Sequence, residues 1–289
     1  MKTLLSKSVA SVLTLLTPLC PSAFAANAIW SGGGANDNWS TAANWSGATP
    51  AGNAVIFNDT DATGGGAYGA ANNVVDATIT VQSLRYGNTN GSHNTAIPAG
   101  VTLKVDSATS PIMYVGTGVD NGGSQTVYAT LQGAGTLFVT NTSGNISIIQ
   151  GSAASGAKTA TLDMEGLDNF TAYVSQIRLA AENGGSSTPQ FNRPGGTLIL
   201  AKTNFIYATG NPGLRLSWTS GNGGPAVVKL GVTNAIFANN GMTIGDRKSD
   251  SGSKMEFNSM FSFPTPVALF RDQAGTGRQS QWIIGDQVH

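Results

Sequence analysis

The chain has 289 residues, of which 10% are charged and 40% hydrophobic; its formal net charge is zero and it contains 38 glycines. Apolar content at this level with no net charge excludes a disordered polyelectrolyte. The densest basic spot, Arg247-Lys248, is flanked by Asp246 and Asp250, so no basic patch offers itself to nucleic acid or an anionic membrane.

The first 25 residues read as a secretory signal peptide. Lys2 and Lys7 make a positive n-region, Val9 to Leu19 a short apolar core, and Ala23-Phe24-Ala25 an A-x-A cleavage site. Cleavage is expected after Ala25. The apolar run is too short for a stable transmembrane helix, and no span is expected in the mature chain. Cys20, the one cysteine, lies inside this leader without a lipobox before it. The mature chain therefore carries no disulfide, and its size is sufficient to bury a core without one.

Residues 26–60 are tryptophan-rich. Trp30, Trp39 and Trp45 fall within one short segment, Trp30-Ser31-Gly32-Gly33-Gly34 through Asn44-Trp45-Ser46-Gly47. The structural reading is an N-terminal cap with the first strands, since the end of a stacked fold must be covered. The functional alternative is a sugar-stacking platform. Asp59-Thr60-Asp61 and Asp120-Asn121-Gly122-Gly123 resemble loose calcium loops without the spacing of a known calcium repeat. No other cofactor is indicated. His93 sits in Asn90-Gly91-Ser92-His93-Asn94, which reads as a turn.

From residue 61 to 289 a strand-length pattern recurs. Thr197 to Ala208 returns as Val227 to Ala238, with Leu200/Leu230, Thr203/Thr233, Asn204/Asn234 and Ala208/Ala238 all at an offset of thirty. Gly213-Leu214-Arg215-Leu216 is answered by Gly241-Met242-Thr243-Ile244, and Ile244 by Ile284. Met255-Glu256-Phe257 matches Val228-Lys229-Leu230. Upstream, Leu162, Met164, Phe170 and Ala172 align at an offset of thirty-six with Leu198, Leu200, Ile206 and Ala208, and Ile177 and Leu179 with Leu214 and Leu216. Gly/Ser/Asn-rich stretches at 182–187 and 217–224 absorb the drift in period as loops. Repeats of this length, with period-two alternation and β-branched residues, describe short strands stacked unit on unit. A propeller or sandwich would show repeating aromatic positions; none is apparent, which favours an all-β parallel β-helix. Asn204 and Asn234, one coil apart, are placed to form an internal asparagine ladder.

The spacing of the three tryptophans, the run Pro50-Ala51-Gly52-Asn53-Ala54-Val55-Ile56-Phe57, and the stretches Ala160 to Leu167 and Gly196 to Asn204 resemble secreted proteins with autotransporter-associated β-strand repeats. The resemblance implies a right-handed parallel β-helix with a pectin lyase-like fold, exported to the outer surface of a Gram-negative bacterium or secreted. It carries over no catalytic residues. Such proteins end in a barrel or sorting anchor, whereas this chain stops at His289 soon after a repeat begins, so it reads as a segment truncated at its C-terminus.

Function therefore reads as a structural, adhesin-like surface segment whose partners are extracellular polysaccharide or a host or neighbouring cell. The alternatives are a carbohydrate-active lyase or hydrolase and a non-catalytic glycan-binding module. An enzyme would draw on Asp163, Glu165 and Asp168, the tightest acidic group. Alternation with Leu162 and Met164 instead reads Asp163 and Glu165 as a solvated strand face. Lys158, Arg178 and Lys202 are conceivable lyase bases, but nothing in the sequence sets them beside a carboxylate. Glycan contact would fall to exposed aromatics such as Trp218 and Tyr207.

Overall fold

The computed structural model describes residues 25–63, 69–107, 110–116, 125–148, 158–180, 194–218, 225–246 and 252–284. The signal segment (but for Ala25), the Asp120 loop and residues 182–187 and 219–224 lie outside these.

The chain opens with β1 (Asn27–Trp30), β2 (Trp45–Gly47) and β3 (Ala54–Phe57), with a short 3-10 turn at Ala42–Asn44 before β2. Short strands then succeed one another in threes. They are β4 (Asn73–Val74), β5 (Ile79–Val81) and β6 (Ser83–Tyr86), then β7 (His93–Ala96), β8 (Thr102–Val105) and β9 (Met113–Val115). β10 (Gln125–Ile148) runs through all three positions, and β11 (Lys158–Asp163) and β12 (Leu167–Leu179) share the next set. β13 (Pro194–Ile199), β14 (Thr203–Ala208) and β15 (Leu214–Trp218) follow. β16 (Ala226–Leu230), β17 (Thr233–Ala238) and β18 (Met242–Asp246) come next, then β19 (Lys254–Phe257), β20 (Val267–Arg271) and β21 (Trp282–Ile284).

Apart from β1 with β2, each strand pairs with its counterpart in the adjacent coil. One parallel ladder runs β4, β7, β10, β11, β13, β16, β19. A second runs β5, β8, β10, β12, β14, β17, β20. A third runs β1, β3, β6, β9, β10, β12, β15, β18, β21. Only β1 with β2 is antiparallel among the paired strands. The fold is a parallel β-helix.

Period-two alternation sends one set of side chains inward, where register stacks them into columns. Leu162, Leu198, Val228 and Met255 form one such column. Leu84, Met113, Ile146, Ile177, Leu214 and Met242 form another, all buried. Each buried aliphatic side chain contributes roughly 1.5–3 kcal/mol. The offsets for Leu162/Leu198 and Ile177/Leu214 agree with the sequence reading. That for Phe170 does not: Phe170 pairs with Asn204, and Ala172 with Ile206. Between the paired positions Asp163/Ile199 and Asn169/Thr203 the earlier coil has two more residues than the later one. The chain thus resumes its strand two residues early relative to a uniform offset, and Asn204 takes the inward position that Phe170 holds one coil before.

The asparagine ladder is present. Asn204 Nδ2 donates to Ala201 O at 2.7 Å and to Asn234 Oδ1 at 2.9 Å. Asn234 Nδ2 donates to Gly231 O at 2.9 Å and to Val267 O at 3.0 Å, while its Oδ1 accepts from Gly231 N at 3.0 Å. The two amides thereby satisfy the carbonyls of a buried corner where strand pairing lapses. Gly231 is required there, because a Cβ would collide with the Ala201 carbonyl oxygen and Asn204 Nδ2.

Replacing Asn234 with Ala is expected to cost about 1–3 kcal/mol, since Gly231 O, Val267 O and Gly231 N lose their partners inside the core. Chemical denaturation checks this. An unchanged midpoint would show that the ladder is not a stabilising element.

Candidate functional site

The acidic group does not form a solvated face. Asp163 is 1% exposed and Glu165 7%. Tyr128 Oη donates to Asp163 Oδ2 at 2.6 Å, and the Glu165 amide donates to Asp163 Oδ1 at 3.0 Å. Asn258 Nδ2 donates to Glu165 Oε2 at 2.7 Å, a contact spanning 93 residues of sequence. Tyr128 comes from the coil before, and Asn258 directly follows β19, three coils on. Burial pushes the Tyr128 phenol well above its ordinary range, and the Asp163 carboxylate adds to the shift. Both Asp163 oxygens hold the corner together and neither faces an open groove. Asp168 stands apart: its Oδ1 pairs with Lys202 Nζ at 2.6 Å on the surface. This sets one of the conceivable lyase bases beside a carboxylate after all, though as an exposed ion pair of small energetic weight. Arg178 is engaged by its neighbour, with Nε and a terminal nitrogen donating to Gln176 Oε1 at 2.9 and 2.7 Å.

His93 is in β7 and not in a turn. It faces inward, in register with Ala129, and is fully buried against the Phe57 ring at 4.8 Å between centroids. Its Nε2 lies 2.6 Å from Asn58 O. Desolvation holds its pKa below the ordinary 6.5, with the Asn58 carbonyl, Asp61 and Asp59 opposing in part.

The three N-terminal tryptophans are buried and pack edge-on. Trp45 meets Trp30 at 5.0 Å and Trp39 at 5.3 Å, all three around Phe57. Their indole nitrogens donate inward, Trp30 to Asp61 Oδ2, Trp39 to Asn73 Oδ1 and Trp45 to Trp39 O. Their faces are not available to a sugar. Asp61 is occupied by Trp30, and Asp59 accepts from the Thr89 and Asn90 amides, so the first acidic loop is spent on fixing the chain.

Tyr207 is placed differently. Its side chain points outward from β14 and lines an open groove of about 480 Å³ with Asn239, Asn240, Asp272, Gln273 and Ser280. Gln273 Nε2 donates to Tyr207 Oη at 3.0 Å, and Asp272 accepts from the amides of Thr276 and Gly277 at 3.2 and 3.1 Å. Trp218, the other aromatic expected to meet a glycan, closes β15, and its side chain lies outside the described part.

Sequence reasoning found no aromatic repeat, yet one exists. Tyr173, Tyr207 and Phe237 occupy the same outward position on successive coils. Ring centroids lie 5.7 Å apart for Tyr173 and Tyr207, 5.4 Å for Tyr173 and Phe205, and 5.3 Å for Phe205 and Phe237. Phe138 and Phe205 belong to the outward position two residues away, in register through Thr171, and Phe138 lies 6.0 Å from Tyr173. The offset of thirty already placed Tyr207 on Phe237; the two-residue error at Phe170 concealed Tyr173.

No family model, curated protein or solved structure matches the chain.

Two outcomes are expected. Asp163→Ala strips the Tyr128 hydroxyl and the Glu165 amide of their acceptor and should destabilise the fold by roughly 1–3 kcal/mol; a midpoint equal to wild type would return Asp163 to the role of a free surface carboxylate. The folded chain binds a proton at His93 more weakly than the unfolded chain does. The stability this confers is complete above pH 6.5 and is lost as pH falls below it, by up to about 1.4 kcal/mol per pH unit. His93→Gln should therefore flatten the decline in melting temperature between pH 6.5 and 5, and an equally steep decline would refute the assignment.

Proposed function

We propose that this protein is an extracellular, non-enzymatic β-helix segment that serves as a structural, adhesin-like element on or outside a Gram-negative cell. The observation that carries the reading is the use of the acidic group. A glycosidase or lyase needs two carboxylates, or a carboxylate and a base, converging in an open groove. Here Asp163 and Glu165 are buried and bonded to Tyr128, the Glu165 amide and Asn258, while Asp168 is tied to Lys202. The outward positions of the coils are instead mostly Thr, Tyr, Phe, Arg and Lys, which suit display and contact.

Export is supported by the sequence of residues 1–25, and the surface role by the resemblance of most of residues 29–286 to autotransporter-associated repeats. Stacked coils make an extended scaffold whose surface can vary without disturbing the interior, because each coil contacts only its neighbours.

Expression of the full chain in a Gram-negative host tests the reading. The mature protein should begin at Ala26 by N-terminal sequencing and be found in the periplasm, at the surface or in the medium. Protein that retains residues 1–25 and stays in the cytoplasm would sink it, as would depolymerisation of a polysaccharide by the purified chain.

A further inference from the structure

We propose that the groove beside Tyr207 is a saccharide-binding site, and that the aromatic column leading away from it extends the site along a neutral, linear polysaccharide lying parallel to the solenoid axis. The inference rests on the extracellular reading above only for where the ligand is met.

The chemistry of the lining selects the ligand class. At about 480 Å³ the groove has the size of a small-ligand site. Asn239, Asn240 and Gln273 present amides, Ser280 a hydroxyl and Asp272 a carboxylate. Amides and hydroxyls offer donors and acceptors in close alternation, which is what the hydroxyl ring of a pyranose requires. The only charged side chain of the lining is the acidic Asp272. That disfavours an anionic polymer and leaves a neutral polyol as the fitting partner.

Tyr207 forms the aromatic wall. Its hydroxyl is held by Gln273 at 3.0 Å, so the ring stands in one orientation and can present a face to the C–H side of a sugar. Such a fixed ring loses little entropy on binding. Tyr173 continues the wall one coil away, 37% exposed with its ring 5.7 Å from that of Tyr207. Strands in adjacent coils are about 4.8 Å apart, and Tyr173 and Tyr207 are register partners, so these two rings stand in line along the solenoid axis. Phe138 and Phe205, in register with each other through Thr171, flank that line from the outward position two residues away, Phe138 at 6.0 Å and Phe205 at 5.4 Å from Tyr173. A band of rings running from coil to coil into a polar groove matches an extended chain better than a compact or branched glycan. At the other end Phe237 is shielded by the turn carrying Gly275, so the row is open in the direction of Tyr173.

Affinity electrophoresis of the full chain tests this, in gels containing hydroxyethylcellulose or arabinoxylan as neutral linear polymers and polygalacturonate as the acidic one. Retardation is expected in at least one neutral polymer and not in polygalacturonate. Tyr207→Ala and Tyr173→Ala should each weaken it about tenfold. Tyr207→Phe keeps the ring and should retain most of the binding, which guards against a misfolded Ala variant. Phe263→Ala, at a residue 92% exposed and outside the column, should change nothing. No retardation in either neutral polymer, preference for polygalacturonate, or retardation that survives both Tyr→Ala changes would overturn the site. An exported chain that fails to bind would leave the extracellular reading intact, whereas a chain that binds without being exported would remove that reading and keep the site.

Discussion

Everything in this molecule depends on the parallel pairing of each strand with its counterpart one coil away. The pairing fixes register, and register decides which side chains meet inside. An inward residue is therefore constrained by the residues above and below it in the column more than by its sequence neighbours. Leu162, Leu198 and Val228 satisfy that constraint by packing apolar on apolar. Asn204 and Asn234 satisfy it by being identical, so that the amide of one finds the carbonyl of the next. The pairing is one-sided: Asn234 finds partners for both ends of its amide, while Asn204 Oδ1 is buried without one, at a cost that an apolar residue would not incur.

The outward positions are free of this demand, and there the molecule divides its polar groups between two tasks. Some are drawn into a buried corner by hydrogen bonds from other coils. Asp163 is held by Tyr128 of the coil before and Glu165 by Asn258 of a later one. Others stay open. Tyr207, Asn239 and Gln273 line an open groove, with Gln273 of the turn after β20 bonded to the Tyr207 hydroxyl at one side of it. The difference lies in the length and path of connecting turns, which stacked coils tolerate at their edges.

This explains what the sequence could reveal. The repeat, the inward columns, the pairing of Ile244 with Ile284 and the asparagine ladder are all consequences of register, and register leaves fixed offsets that can be read directly. The burial of Asp163 and Glu165 leaves no such mark. Alternation reads them as a solvated strand face, but Glu165 falls in the turn after β11 and the groups that bond the two carboxylates come from 35 residues before and 93 residues after. His93 was misread because its flanking Asn, Gly and Ser residues look like a turn, while its partner Ala129 and the ring of Phe57 belong to other coils. The aromatic column was missed for a third reason. Two extra residues between Asp163 and Asn169, relative to Ile199 and Thr203, shift the frame, so that a uniform offset matches Phe170 to another apolar residue and Tyr173 to none.

The last coil shows that stacking, and not the strand sequence itself, creates the interior. β17 and β20 share the same alternation and pair residue for residue, Asn234 with Ala268 and Ile236 with Phe270. Ile236, with a coil on either side, is fully buried, whereas Ala268 and Phe270 are only partly so. Leu269 and Val267, on the opposite side of the same strand, are 45% and 56% exposed. β20 has a described neighbour on one side alone. The apolar column thus becomes a core only where it is covered from both directions, and a coil gains its full stabilisation only when another coil or an equivalent surface is laid upon it. At the other end of the described part Trp30, Trp39 and Trp45 are buried with their rings around Phe57, which in turn stacks on Tyr86.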